Sequence, residues 1–190
     1  MIPPISQAIS ALKQALPQAL FVAPDATEEY DKLNGSYLSG FESDLMSACI
    51  FLPKPKEKVA SFVRIMGSFA DDAQFATRAA GQQPLPGCAD VQNGITVDLR
   101  GLKGIEAQNR QINVAAGGIR GSIYKYLEPL GLGVTGGKST SCGTGGLATQ
   151  SGLSFFASRE GLICDNAVNF EVGLAPSEIA NANAQKHSDL

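Results

Sequence analysis

The sequence predicts an α+β fold, and three observations carry that reading. Between residues 48 and 78 a compact apolar run, a helix-spaced segment and a second short strand follow one another, the pattern of a strand–helix–strand unit. Further along, residues 94–99 (GITVDL) and 111–115 (QINVA) are short β-branched segments that read as strands. Residues 131–154, GLGVTGGKSTSCGTGGLATQSGLS, are richer in glycine than any other part and almost free of charge, a composition suited to close backbone approach and not to a core.

In chain order, Ile5, Ala8, Ile9, Leu12 and Leu16 have the spacing of a short amphipathic helix. Phe21 and Val22 can start a strand. Residues 27–33 (TEEYDKL) predict a helical turn with Thr27 as its cap and Tyr30 facing inward, and Asn34-Gly35 ends it. Residues 1–44 thus form an arm against a domain spanning 45–190. Residues 48–52 (ACIFL) make a buried strand that stops at Pro53. Val59, Phe62, Val63, Ile65, Met66 and Phe69 then mark a helix over 56–69. Residues 75–78 (FATR) give the next strand and 79–87 (AAGQQPLPG) a loop at its carboxyl end, where open α/β sheets place ligands. The strand at 111–115 should pair near Ile105. Residues 119–130 predict a helix with Ile123, Tyr126, Leu127 and Leu130 inward. Residues 162–164 (LIC) and 167–175 (AVNFEVGLA) look like strands, and the polar, alanine-rich sequence from Pro176 onward is weakly patterned.

Composition excludes several classes. The chain has 190 residues, 44% apolar and 17% charged, a globular balance. A net charge of −3 without a Lys/Arg cluster argues against a nucleic-acid surface. No apolar run approaches the roughly 18 residues of a membrane span. The start as given lacks a basic segment and an unbroken apolar one, so it does not read as a secretory signal, and a cytoplasmic location is the expectation. Cys49, Cys88, Cys142 and Cys164 form no C-x-x-C pair and His187 stands alone, so no metal site is expected. Free thiols are the default, with two disulfides left open.

Three phosphate signatures fail in the glycine stretch. Gly131-x-Gly133-x-x-Gly136 matches a dinucleotide fingerprint, but a helix precedes it and none can open at Gly136-Gly137. Gly143-x-Gly145-x-x-Ala148 is a looser match of the same kind. Gly137-Lys138-Ser139 resembles the end of a P-loop, but Leu132 stands where its first glycine belongs. What remains is two small-residue loops, 78–83 and 137–152, able to grip a diphosphate from two sides by backbone amides. Val134, Leu147, Leu153, Phe155 and Phe156, threaded through the glycine-rich run and its end, argue against a flexible linker. Arg78, taken alone, reads as a solvated charge at a strand end.

In this order the motifs FATRAAGQQPLPGCADVQNGITVDLRGL and INVAAGGIRGSIYKYLEPLGLGVTGGKSTSCGTGGLATQSGLSFFASREGLICDNAVNFEVGLA resemble the FAD-linked oxidases with a p-cresol-methylhydroxylase-type (PCMH-type) FAD-binding domain. These belong to the vanillyl-alcohol-oxidase superfamily, near its berberine-bridge-enzyme-like and 6-hydroxynicotine-oxidase-like members. The resemblance covers about residues 47–190 and implies a small parallel β/α unit packed on a second, largely antiparallel sheet. It implies that Arg78, Ala79, Ala80, Gly81, Gln82 and Gln83 form the diphosphate-binding loop, where members have R-x-G-G-H. The histidine that often tethers the flavin falls on Gln82, and the second tether, a cysteine three residues before Cys142, falls on Ser139. FAD is therefore expected to bind without a covalent bond. Gly137, Ser139, Thr140, Cys142, Gly143, Gly145, Gly146, Gln150, Gly152, Leu153 and Val172 complete the implied cofactor contacts. Cys142 itself is off register for a tether and should be a small buried apolar residue. Gln150 and Ser151 replace two glycines of the implied triplet, and Val172 lies on the strand that passes the adenine end.

The resemblance further implies oxidation of a small organic substrate, a hydride passing to flavin N5, and reoxidation by dioxygen or another acceptor. Members continue past residue 190 into a substrate domain, so the chain reads as truncated within the flavin domain. No residue is nominated as catalytic. A sheet stopped partway is expected to self-associate through an uncovered edge. The alternatives are a non-catalytic remnant with weak or no flavin binding, and a nucleotide-binding module of another class.

Overall fold

A computed structural model describes residues 4–175 and 178–190. Its helices are α1 (Pro4–Ala15), α2 (Thr27–Asn34), α3 (Gly40–Ser43), α4 (Lys56–Gly67), α5 (Arg120–Leu127), α6 (Thr144–Thr149) and α7 (Ala157–Glu160). Its strands are β1 (Leu20–Val22), β2 (Cys49–Leu52), β3 (Phe75–Arg78), β4 (Ile95–Asp98), β5 (Ile105–Gln108), β6 (Gln111–Val114), β7 (Phe170–Gly173) and β8 (Ile179–Ala182). Four strands form one sheet in the order β1-β2-β4-β3, with β2, β4 and β3 parallel and β1 antiparallel at one edge. The antiparallel part consists of two hairpins, β5-β6 and β7-β8. Ile105 pairs with Val114, as the sequence predicts.

The core lies on the α1/α4 face of the sheet. Ala8, Leu12, Phe51, Phe62, Met66, Ile95 and Val97 form one buried cluster. Phe51 stacks between Phe21 (4.8 Å) and Phe62 (5.2 Å), and such ring pairs contribute about 0.5–1.5 kcal/mol beyond their area. Every residue of β4 is buried, Thr96 and Asp98 included, because helices or loops cover both faces of this central strand. The segment before residue 45 supplies α1 to this core and β1 to the sheet. The described residues include no helix long and apolar enough to cross a membrane, and no group of three or more metal-ligating side chains. Pro176, where the sequence turns polar, lies outside the described residues.

Four expectations need correction. Ala26, not Thr27, is the N-cap of α2, and no side chain caps it; Thr27 already stands inside the helix. Tyr126 and Leu130 are exposed, whereas Ile123 and Leu127 are buried as expected. For Leu130 the reason is that α5 ends at Leu127 and Glu128-Pro129-Leu130 tightens into a 3-10 turn, which shifts the helical phase. Tyr126, inside α5, lies at the rim of the buried face with its hydroxyl accepting from the Ala107 amide at 3.4 Å. Residues 162–164 form no strand. The Asp165 carboxylate accepts from the Leu162 amide at 2.7 Å, and Asn166 donates to the Glu160 and Leu162 carbonyls, folding the segment into a turn closed by a 3-10 helix. Finally, the glycine stretch is not loop throughout: α6 opens within it at Thr144, whose hydroxyl anchors on the Gly118 carbonyl.

Candidate functional site

The carboxyl end of β3 leads into the first turn. Arg78 is not the solvated charge that its position suggests; it is 1% exposed. Its guanidinium donates to the Leu33 carbonyl (2.8 Å), the Ser36 carbonyl (2.6 Å) and the Ser36 hydroxyl (3.0 Å), and lies 3.6 Å from the centre of the Tyr37 ring. Carbonyls at and just beyond the end of α2, together with a π face, thus stand in for a carboxylate. Burial still pulls the guanidinium below its ordinary pKa, and pushes the Tyr37 hydroxyl up. Gly81 has φ +70°, and a Cβ there would lie 2.8 Å from Arg78 Nε, so only glycine lets the turn pass over the buried side chain.

The amides of Ala79, Ala80, Gly81, Gln82 and Gln83 have no acceptor among the described residues. Those of Gly137, Lys138, Ser139, Thr140 and Gly143 share that property. The two sets meet. A Cβ built on Gly143 would lie 2.8 Å from the Cβ of Ala80 and 3.1 Å from its amide nitrogen, and one on Gly145 would touch Ala79 at 3.7 Å. Side chains cross the same gap: Gln83 donates to Gln150, and the Ser141 hydroxyl donates to the Gln82 side-chain oxygen Oε1 at 3.5 Å. Ser139 and Ser141 share a hydrogen bond at 2.9 Å, so Gln82, Ser141 and Ser139 make one polar chain across the two turns.

The second turn is supported from below by α5. The buried Arg120 donates to the Thr135 carbonyl (3.3 Å) and Tyr124 to the Gly137 carbonyl (2.7 Å), while the Ser154 hydroxyl accepts from the Gly136 amide (3.3 Å). Burial pulls the Arg120 guanidinium down and pushes the Tyr124 hydroxyl up. Gly136 must lack a side chain because a Cβ would meet the Tyr124 oxygen at 2.4 Å. Thr140 and Cys142 accept the first two amides of α5 on their carbonyls. Cys142 is half-buried, with its Cβ 3.3 Å from where a side chain on Gly137 would start, and all four cysteines are free thiols.

Other expected contacts stand at varying remove. Gly152 is wedged between Leu147 and Ile163, each 2.8 Å from a built Cβ. Leu153 is largely exposed, as are Phe155 and Phe156, so these apolar residues do not anchor the stretch; the hydrogen bonds from α5 do. Gly146 is open, with nothing within 4 Å of a built Cβ. Val172 lies in β7, which pairs with β8 and packs on α4. Sequence reasoning missed Ala116, whose carbonyl stands 3.8 Å from the Gly145 position, and the supports Arg120 and Tyr124. The signal for Ala116 was present in the small-residue run AAGG directly before α5.

The donor set between the turns is neutral: backbone amides, serine hydroxyls and glutamine side chains. The ammonium of Lys138 sits over the Phe155 ring at 5.0 Å. Such a set suits an anion whose charge is met by aligned amides, as in the diphosphate of a dinucleotide; the missing side chains of Gly143 and Gly81 let the turns pack on Ala80 and on Arg78, and Gly146 borders open space.

Comparison with known proteins follows the same lines. The model of a family described as FAD binding domain matches residues 47–183. An FAD-dependent monooxygenase of Cercospora nicotianae is 36% identical over 162 residues, covering 82% of this chain and 35% of its own length. Among solved structures, wild-type BBE-like 1 of Physcomitrella patens superposes with a TM-score of 0.81 at 24% identity, over 94% of this chain and 39% of that one. The 6-hydroxy-D-nicotine oxidase of Arthrobacter nicotinovorans gives a TM-score of 0.79 at 23% identity, over 88% and 36% of the two chains. These structural likenesses show the PCMH-type fold. The chain spans about a third of the length of the curated relatives it matches.

Proposed function

The chain belongs to the FAD binding domain family, and from that premise we propose that it grips FAD without a covalent bond, as the cofactor-holding part of an FAD-dependent oxidoreductase acting on a small organic substrate. The observation that carries this reading is the contact between Ala80 and Gly143, which brings two sets of unbonded amides to one place. In the proposal the amides of residues 79–83 face the diphosphate from one side. Gly137, Ser139, Thr140, Cys142, Gly143, Gly145 and Gly146 face it from the other, with Gln150, Gly152, Leu153 and Val172 further along the cofactor. Arg78 shapes the first turn from inside and meets the ligand only through its backbone. Residues 45–190 are then the FAD-binding domain and residues 1–44 its arm.

Bound FAD would supply the redox chemistry, taking a hydride at N5 and passing electrons to an acceptor such as dioxygen. The chain's own residues bind and orient. Aligned amides offset the diphosphate charge without a competing lysine or arginine. Gln82 and Ser139 stand where the resemblance places tethers, and an amide and a hydroxyl offer no such bond. The names of the relatives, FAD-dependent monooxygenases, support oxygen as the acceptor class.

Purified protein tests this directly. The account expects flavin absorbance, or a rise in melting temperature on adding FAD but not ATP or NAD, and full release of flavin into solution on acid denaturation. A colourless protein indifferent to FAD contradicts the binding claim. Flavin that stays with the precipitate contradicts the non-covalent one.

A further inference from the structure

The first turn is held from outside by a segment that the cofactor reading leaves unused. The Leu38 amide donates to the Gly81 carbonyl (2.9 Å), the Ser39 hydroxyl to the Pro84 carbonyl (3.0 Å) and the Tyr37 hydroxyl to the Ala89 carbonyl (3.1 Å). Glu42, on α3 and 0% exposed, takes the opposite polarity. Its carboxylate accepts from the amides of Gly87 (3.2 Å), Cys88 (3.1 Å) and Ala89 (2.8 Å). It has no salt bridge among the described residues, so these three amides carry its compensation.

This arrangement sorts the loop by polarity. The loop's carbonyls point outward to residues 37–39, and the amides of its far limb are used by Glu42. The near-limb amides, 79–83, are the ones left without an acceptor, in the turn that meets Gly143 through Ala80. A turn left to itself tends to pair its own carbonyls and amides, which would close the near limb against a ligand. Pinning the far limb prevents that.

We infer that Glu42 is a positioning residue: by clamping the amides of Gly87, Cys88 and Ala89 it keeps those of residues 79–83 aimed at the ligand and so sets dinucleotide affinity. The inference rests on the FAD reading, but its first readout does not need flavin. In Glu42→Ala, amide exchange in the ligand-free protein should quicken about tenfold or more at residues 87–89, which lose their acceptor, and at Leu38, whose amide is bonded to the Gly81 carbonyl of the near limb, while β2 and β4 keep their protection. FAD affinity, measured by quenching of flavin fluorescence, should fall by about tenfold to a hundredfold. Glu42→Gln, which keeps one acceptor oxygen, should rescue part of both effects. Ser39→Ala removes only the Pro84 link and should move the same readouts in the same direction, which keeps the test open if Glu42→Ala does not fold. Exchange that rises evenly through β2 and β4, or a folded Glu42→Ala protein with wild-type exchange at Leu38, overturns the inference. If the wild-type chain itself ignores FAD, the cofactor reading fails, and the exchange pattern alone still decides whether Glu42 positions the turn.

Discussion

Arg78 and Arg120 are both buried, both lack a salt bridge among the described residues, and each lies under one of the two facing turns; their compensation differs sharply. Arg78 reaches two carbonyls at the end of α2, a hydroxyl and an aromatic face. Arg120 makes one long bond, 3.3 Å to the Thr135 carbonyl; the Nε of both arginines has no partner, so the difference lies in the terminal nitrogens and the ring contact. The first turn is therefore fixed by the fold before any ligand arrives. The second is held by α5 through neutral Tyr124 and a weakly bonded cation, and its shape has more to gain from a bound anion.

The largest expected effect is on stability. Arg78→Ala strips its hydrogen bonds, leaves carbonyls bare in the interior and removes the support of Gly81, and should cost about 3–5 kcal/mol by urea unfolding. Arg78→Lys should recover only part, since an ammonium cannot span the same fork or lie flat on Tyr37. Arg120→Ala should cost only about 1–2 kcal/mol. Equal losses for the two alanine variants would erase the contrast.

Next comes Gly143→Ala. Its methyl group would overlap Ala80 and push the turns apart, so FAD binding should weaken about tenfold while the melting temperature moves by only a few degrees. A variant that melts far lower with unchanged affinity would make this contact a packing contact only. Gln150→Ala removes an exposed bridge to Gln83 and should cost less than about 1 kcal/mol, checked by the same unfolding curve.

The smallest effect concerns pH. Burial raises the Asp90 carboxyl above its ordinary value of 3.8, against hydrogen bonds from Thr96 and the Val91 amide that lower it, and its Oδ2 has no partner. A raised value means that the fold favours the protonated form. This contribution is full below the ordinary value and is lost as pH rises through the raised one. Asp90→Asn should flatten that part of the stability–pH curve; an unchanged slope would assign it to another group.

How much of this was legible in the sequence depends on the range of the interaction. β2 and α4 were readable because their apolar residues are the ones buried; in β3 the letters mislead, with Phe75 exposed and Arg78 buried. The pairing of Ile105 with Val114 was readable because the hairpin is local. The burial of Arg78 was not, since its partners Leu33 and Ser36 lie 45 and 42 residues earlier and offer backbone carbonyls, which no side-chain pattern announces. Glu42 was silent for the same reason: its partners are amides. The supposed strand at 162–164 failed because Asp165 and Asn166 bond the local backbone more strongly than apolar letters predict. The meeting of the two loops was anticipated from small residues, but not that Gly143 against Ala80 would be the point of contact.

Hydrogen exchange with and without FAD, read at residues 79–83 and 137–146 together, bears most directly on the claim that one dinucleotide is gripped from both sides. The account predicts that both sets of amides gain protection at the same FAD concentration, with the larger gain in the second turn. Protection of one turn alone, or of neither at concentrations where FAD is bound, would contradict it.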